Sequence, residues 1–345
     1  SGILVLGVYR TLAWVVSVML PPMAIFFPLF TLLEDLGYLP RIAFNLDPLF
    51  TRAGGQGRQA LTMAMGLGCN AAGVISCRII DSPRERLIAV LTNNFVPCNG
   101  RWPILFTLAS LFMGGAVATG YGMLLSTVSV VAMVLVGLAA TLLTSWALSK
   151  TLLKGYASAF TLELPPYRVP KVGQVIVRSI FDRTIFVLRR AIIVAAPAGG
   201  IIWVLANVPV GEMSLMAQIT ALFEPLGQLM GMDGTLLLAF ILGLPANEIV
   251  LPIALMGYLS AGQMVEITSL TALRDIFVHQ GWTWLTALNT MLFAVLHFPC
   301  GTTLLTIRKE TGSAKWSALA ALIPTAFGIV LTTLVTCVVR TAGWV

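Results

Sequence analysis

Charge is what this sequence has least of. Only 10% of its 345 residues are Asp, Glu, Lys or Arg, against about 25% in a soluble domain, so it lacks the polar surface needed to face water. Histidine is nearly absent, and two residues leave His-based acid/base chemistry few candidates. No GxSxG, HExxH or GxxxxGKS/T string occurs, so no serine-hydrolase, zinc-protease or P-loop signature is present and no nucleotide site is expected. The five cysteines (Cys69, Cys77, Cys98, Cys300, Cys337) are an odd number without a CxxC pair. That argues against a disulfide framework and against a zinc-finger-like site.

What is present is apolar length: 58% of the chain is hydrophobic and its mean hydropathy is +0.92. Residues 102–149, 191–211 and 316–339 hold no charged side chain, and each supplies the roughly 20 apolar residues of a spanning helix. The lipid bilayer is therefore the implied solvent. The first apolar stretch is span-length and lacks a small-residue cleavage site, so it reads as a span and not as a signal peptide. The net charge of +7 is read as the excess of Lys and Arg in cytoplasmic loops, not as affinity for nucleic acid. Residues 150–190 carry Lys150, Lys154, Arg168, Lys171, Arg178, Arg183, Arg189 and Arg190 against Glu163 and Asp182, whereas 209–234 hold Glu212, Glu224 and Asp233 and no base. This puts 150–184 in the cytoplasm and 209–234 outside.

Apolar length and turn signals predict an all-α polytopic membrane protein with eight spans, near 11–33, 59–80, 86–113, 121–148, 185–208, 235–258, 282–307 and 317–339. An even count puts both termini on the cytoplasmic side with the basic loop. Arg308, Lys309 and Lys315 disagree, since they would then lie outside; either a span is re-entrant or the rule fails there. Residues 34–59 read as an interfacial helix followed by a Gly-rich turn, and "LELPPYRVPK" (162–171) as a proline-rich linker. The expected organisation is a first membrane half (1–150), a basic linker (151–184) and a second half (185–345). The halves resemble each other weakly: "GLGCN" (66–70) matches "GLPAN" (243–247), and "FVPCNG" (95–100) matches "HFPCGT" (297–302).

Four predicted spans are interrupted near their middles by Pro or Gly, and the carbonyls freed there need partners in protein or in a wet cavity. Transporters built from repeats place their substrate where such paired breaks meet. Glu248 is the only Asp, Glu, Lys or Arg between 234 and 265. A charge at mid-span costs roughly 2.5–3.5 kcal/mol, which marks it as functional, although a protonated Glu bonded to a neighbouring helix is the alternative. Asn70 and Asn247 offer amide oxygens, or serve as interhelical glue. Cys69, Cys98 and Cys300 each adjoin a break, whereas Cys77 and Cys337 read as small hydrophobes. Thiolate, carboxylate and amide oxygen together suit a borderline transition-metal ion, to which His297 adds an imidazole unless it is a packing histidine.

The strings "LLEDLGYLPRIAF", "GLGCNAAGVISCRIIDSPRERLIAVLTNNFVPCNGRWP", "GLPANEIVLPIALM" and "LHFPCGTTLLTIRKETGSAKWSALAAL" resemble the membrane (Gate motif) domain of FeoB-type ferrous iron transport proteins over nearly the whole chain. "CNAAGV" stands where "CNVPA" is commoner in the family. The resemblance implies a bacterial or archaeal inner-membrane importer of Fe²⁺. Its suspected pathway residues carry over to Cys69, Cys98 and Cys300, and its acidic residue to Glu248. It also implies a GTP-binding domain or separate GTPase, a small cytoplasmic accessory protein and a homo-oligomer as partners, with any GTPase activity outside this chain. Two other readings stand beside it: a nucleoside or other solute transporter, with Phe95 and Phe298 near the breaks, and a regulatory membrane subunit that transports nothing.

Overall fold

The structure, a computed structural model, describes residues 2–114, 121–155, 172–178, 184–211, 213–265, 267 and 269–344. The predicted proline-rich linker (162–171) falls outside them. Sixteen α-helices and several short 3-10 and π-helical turns occur among the described residues, with one short hairpin, β1 (Pro209–Val210) and β2 (Met213–Ser214).

The first half runs α1 (Arg10–Asp35, extended backward by a π-helical turn from Ile3), α2 (Tyr38–Arg52), α3 (Arg58–Gly68), α4 (Asn70–Ser76), α5 (Pro83–Thr92), α6 (Trp102–Leu108) and α7 (Tyr121–Lys150). After α8 (Val172–Arg178) come α9 (Ile185–Asn207), α10 (Leu215–Leu229), α11 (Gly234–Leu242), α12 (Val250–Tyr258), α13 (Leu270–His279), α14 (Trp284–Leu296), α15 (Gly301–Thr311) and α16 (Ala314–Thr341). Five helices are long and apolar enough to cross a bilayer: Ile3–Asp35, Tyr121–Lys150, Val187–Asn207, Trp284–Thr311 and Ala314–Thr341. The fourth combines α14 and α15.

Side-chain contacts settle which ends share a face. Arg58, at the start of α3, bonds Ile79 O and the Asp81 carboxylate just beyond α4, at 2.6 and 2.7 Å. The α3–α4 pair is therefore a hairpin that returns to the face it left. Arg84 donates to Leu153 O after α7, and Arg78 forms a two-pronged ion pair with Glu310 at the end of α15. All of these ends lie on one face, which carries Arg78, Arg84, Arg86, Lys150, Lys154, Arg308, Lys309 and Lys315 and is here termed the basic face.

The second half does the same from the opposite face. Tyr258, closing α12, donates to Asp233, the N-cap of α11, at 2.5 Å, and Trp282 Nε1 donates to the Tyr258 hydroxyl before α14 begins. Hence α11–α12 is a second hairpin. Phe112, beyond α6, packs on Phe277 and Trp282, so α5 and α6 together cross from the basic face to this one. Asn207 at the end of α9 bonds Gly262 O. Gly7 lies against Gly199 and Trp203, which puts the start of α1 on the opposite face too.

Two of the eight predicted spans, 59–80 and 235–258, therefore do not cross. Six segments cross, and the two hairpins enter from opposite faces, giving the halves inverted arrangements of the same order. This resolves the conflict over Arg308, Lys309 and Lys315, which join the basic face. Residues 2 and 344 lie together on the face opposite Arg308, Lys309 and Lys315. The reason is geometric. Each re-entrant pair has a span's apolar length but reverses direction, so counting 59–80 as a crossing inverts everything before it, and counting 235–258 inverts everything after it.

Candidate functional site

With about 1.5 Å of rise per residue, the 11-residue α3 and 9-residue α11 reach only about 16 and 14 Å, roughly half of a 30 Å hydrocarbon core. Their tips therefore stop beside the breaks of the α5–α6 and α14–α15 spans. At the first tip Cys69 leaves the helical region (φ −157°, ψ 123°) before Asn70 opens α4. At the second, Ala246 holds the same backbone conformation (φ −157°, ψ 119°) before Asn247. The paired strings GLGCN and GLPAN thus fold alike, with alanine in the cysteine's place. Cys98 (φ −83°, ψ 171°) and Cys300 (φ −60°, ψ 156°) are likewise extended residues ahead of new helical turns.

Hydrogen bonds draw the four breaks together. Asn93 Nδ2 donates to Asn70 O at 3.2 Å, joining the first hairpin to the first broken span. A Cβ at Gly73 would stand 2.6 Å from that Asn93 nitrogen and 2.9 Å from Thr62 O, so only glycine permits this approach. The Asn70 amide, in the orientation that satisfies its neighbours, donates to Val96 O and Gly66 O. That is the glue role. Gly301 N donates to Leu244 O at 2.6 Å, joining the second hairpin to the second broken span.

At the centre, Asn247 Nδ2 lies 3.9 Å from Cys98 Sγ. The Glu248 carboxylate lies over Gly100, where a Cβ would be 2.6 Å from Oε2. Cys69, Cys98, Asn247 and Glu248 are buried, and Cys300, whose sulfur is 3.2 Å from Thr303 Oγ1, is half-buried. Glu248 Oε1 and Asn247 Oδ1 have no hydrogen-bond partner, and both residues line a cavity of about 180 Å³ that runs past Gly100, Thr107 and Leu251. Acceptor oxygens with no protein donor beside such a cavity are open to water or to a cation.

His297 stands apart in character. Its Nδ1 lies 3.0 and 2.9 Å from Phe293 O and Ala294 O, and its ring sits among Phe240, Phe293 and Phe298. Its Nδ1 is thus engaged by the backbone, and its buried Nε2 has no hydrogen-bond partner. Among the described residues, no three His, Cys, Asp or Glu side chains form a ready-made metal cluster, and the cavity beside Asn247 and Glu248 has no cysteine in its lining. Cys77 is buried against Gly73 O, and Cys337 is exposed on α16.

Sequence reasoning passed over Asn93, Asn94 and Arg101. Arg101 is the only charged residue between Arg86 and Lys150, a signal of the same kind that singles out Glu248.

Comparison with known proteins supplies a lineage. The Gate family, described as nucleoside recognition, matches residues 16–112 and 188–314. The family described as the ferrous iron transport protein B C terminus matches 130–182. The Fe(2+) transporter FeoB of Staphylococcus aureus (strain MSSA476) is 31% identical over 328 residues, covering 92% of this chain and 46% of the relative. Its namesake in Methanocaldococcus jannaschii is 28% identical over 319 residues, covering 88% and 45%. A Porphyromonas gingivalis relative, named as a fusion of Fe(2+) transport protein A with Fe(2+) transporter FeoB, is 25% identical over 353 residues, covering 88% and 40%. The chain spans about half the length of the curated relatives it matches. No solved structure matches it. With Gate matches over more than half of its length, the chain belongs to the Gate family, and along nearly all of that length it is similar to part of the FeoB-type transporters.

Proposed function

We propose that the chain carries Fe²⁺ across the cytoplasmic membrane between its two inverted halves, the ion passing Cys69, Cys98, Asn247, Glu248 and Cys300 at the meeting of the four breaks. The observation that carries the reading is that convergence, with bare buried oxygens of Asn247 and Glu248 beside the Cys98 thiol. A borderline cation gains from sulfur where a hard one does not. Open spacing of the ligands suits an ion that must leave again. Asn70, with its amide engaged, serves the backbone, and His297 serves packing.

In this reading the basic face is cytoplasmic, by the positive-inside rule. A GTP-binding domain and a small accessory protein complete the system, in keeping with the greater length of the relatives and the fusion seen in one of them. Single cysteines introduced on a cysteine-free background report the sidedness. Lys309→Cys should resist an impermeant thiol reagent until cells are lysed, while Ser260→Cys reacts in intact cells. The reverse pattern would invert the assignment.

The test of the route is Fe²⁺ uptake into liposomes. Cys69→Ser and Glu248→Gln should each lower uptake several-fold, and undiminished uptake would remove that residue from the path. A nucleoside reading asks for aromatic faces open at the breaks, but Phe95 is fully buried edge-on to Phe327. Inhibition of metal uptake by uridine would nonetheless restore that reading.

A further inference from the structure

Arg101 is 1% exposed and lies where both spans are broken. Its Nη1 donates to Asn94 O at 2.7 Å and to Val295 O at 2.8 Å, taking one carbonyl from each half. Its Nη2 donates to His297 O at 3.1 Å and Phe298 O at 3.4 Å. Among the described residues no carboxylate forms an ion pair with Arg101. Main-chain oxygens hold its charge instead, and these are the oxygens that the helix breaks set free.

The placement matters because of what flanks it. Cys98 lies three residues before Arg101, and Cys300 two residues after Phe298. A planar fork with fixed donor directions can serve several carbonyls of two chains at once, whereas a lysine ammonium is a point charge on a flexible stem.

We infer that Arg101 is a positioning residue: it locks the break of α5–α6 to the break of α14–α15 and thereby sets the separation of Cys98 from Cys300. The two broken spans then form one body at the membrane centre. The consequence for metal rests on the iron-transport reading; the geometric claim does not.

The test separates the two. In the purified chain carrying Cys69→Ser, Cys77→Ser and Cys337→Ser, a short bifunctional thiol reagent should join Cys98 to Cys300 readily. Arg101→Lys and Arg101→Gln should each slow that cross-link several-fold, with a parallel weakening of the thiolate-to-metal absorption of added Co²⁺, since residues that orient ligands govern metal affinity. Absence of the cross-link in the Arg101 protein overturns the inference, and this does not depend on any Arg101 variant folding. So does an Arg101→Lys protein that cross-links and binds Co²⁺ like its parent, because charge alone would then suffice. If the cross-link forms as described while the chain with all five cysteines intact moves no Fe²⁺ in liposomes, the clamp stands and the transport reading falls.

Discussion

Gly100→Ala is expected to cut Fe²⁺ uptake by at least about tenfold, the equivalent of about 1.4 kcal/mol, while barely changing the thermal unfolding of the purified chain. The added methyl would stand 2.6 Å from Glu248 Oε2, a separation that real Cβ atoms do not adopt, so the carboxylate must move. It can do so at little cost to the fold. Glu248 borders a cavity of about 180 Å³, and the backbone near Gly100, at Glu248 N, is 3.5 Å from the new atom. The substitution therefore displaces the acid without removing it. Glu248→Asp on the Gly100→Ala background shortens the side chain by one methylene and should return part of the uptake. Parental uptake by Gly100→Ala alone would show that the position of this carboxylate is immaterial.

Much of this site was legible because it violates the rules for membrane helices. Pro and Gly beside Cys in mid-span, and a single acid in an apolar run, mark Cys69, Cys98, Glu248 and Cys300 without any coordinates. The matched pentapeptides GLGCN and GLPAN fold with backbone angles within a few degrees at Cys69 and Ala246. Direction of travel was not legible from hydropathy. A window over 59–80 measures apolar length, and a hairpin of two short helices has as much of it as one long helix. The clue lay in charge: Arg58 and Asp81 bracket the first hairpin and pair at its base, and the bases at 308–315 demanded the basic side. Arg101 was visible as an isolated charge, but its role depends on carbonyls of Val295, His297 and Phe298 nearly two hundred residues away. No local pattern encodes such a partner.

Ala246→Cys should turn a site of passage into a trap. Cys69, Cys98 and Cys300 each occupy an extended residue ahead of a helical turn at one of the four breaks, and Ala246 fills that position at the fourth. Its neighbour Asn247 already reaches Cys98, so a thiol at 246 would enter the same neighbourhood. Four cysteines are the ligand set of closed structural zinc sites, which hold their ion and do not pass it on. Ligand number is thus the variable that separates retention from release here. The expected result is metal that stays bound through purification, by mass spectrometry, with affinity raised by about 100-fold, the upper end of what altered ligand environments produce, and uptake reduced in proportion. Ala246 is 3% exposed, so the extra atom also adds crowding. Ala246→Ser matches the bulk without the sulfur and should bind and transport like the parent. Equal metal retention by the serine and cysteine variants would assign the effect to packing, and metal-free Ala246→Cys protein with normal uptake would place residue 246 outside the ion's path.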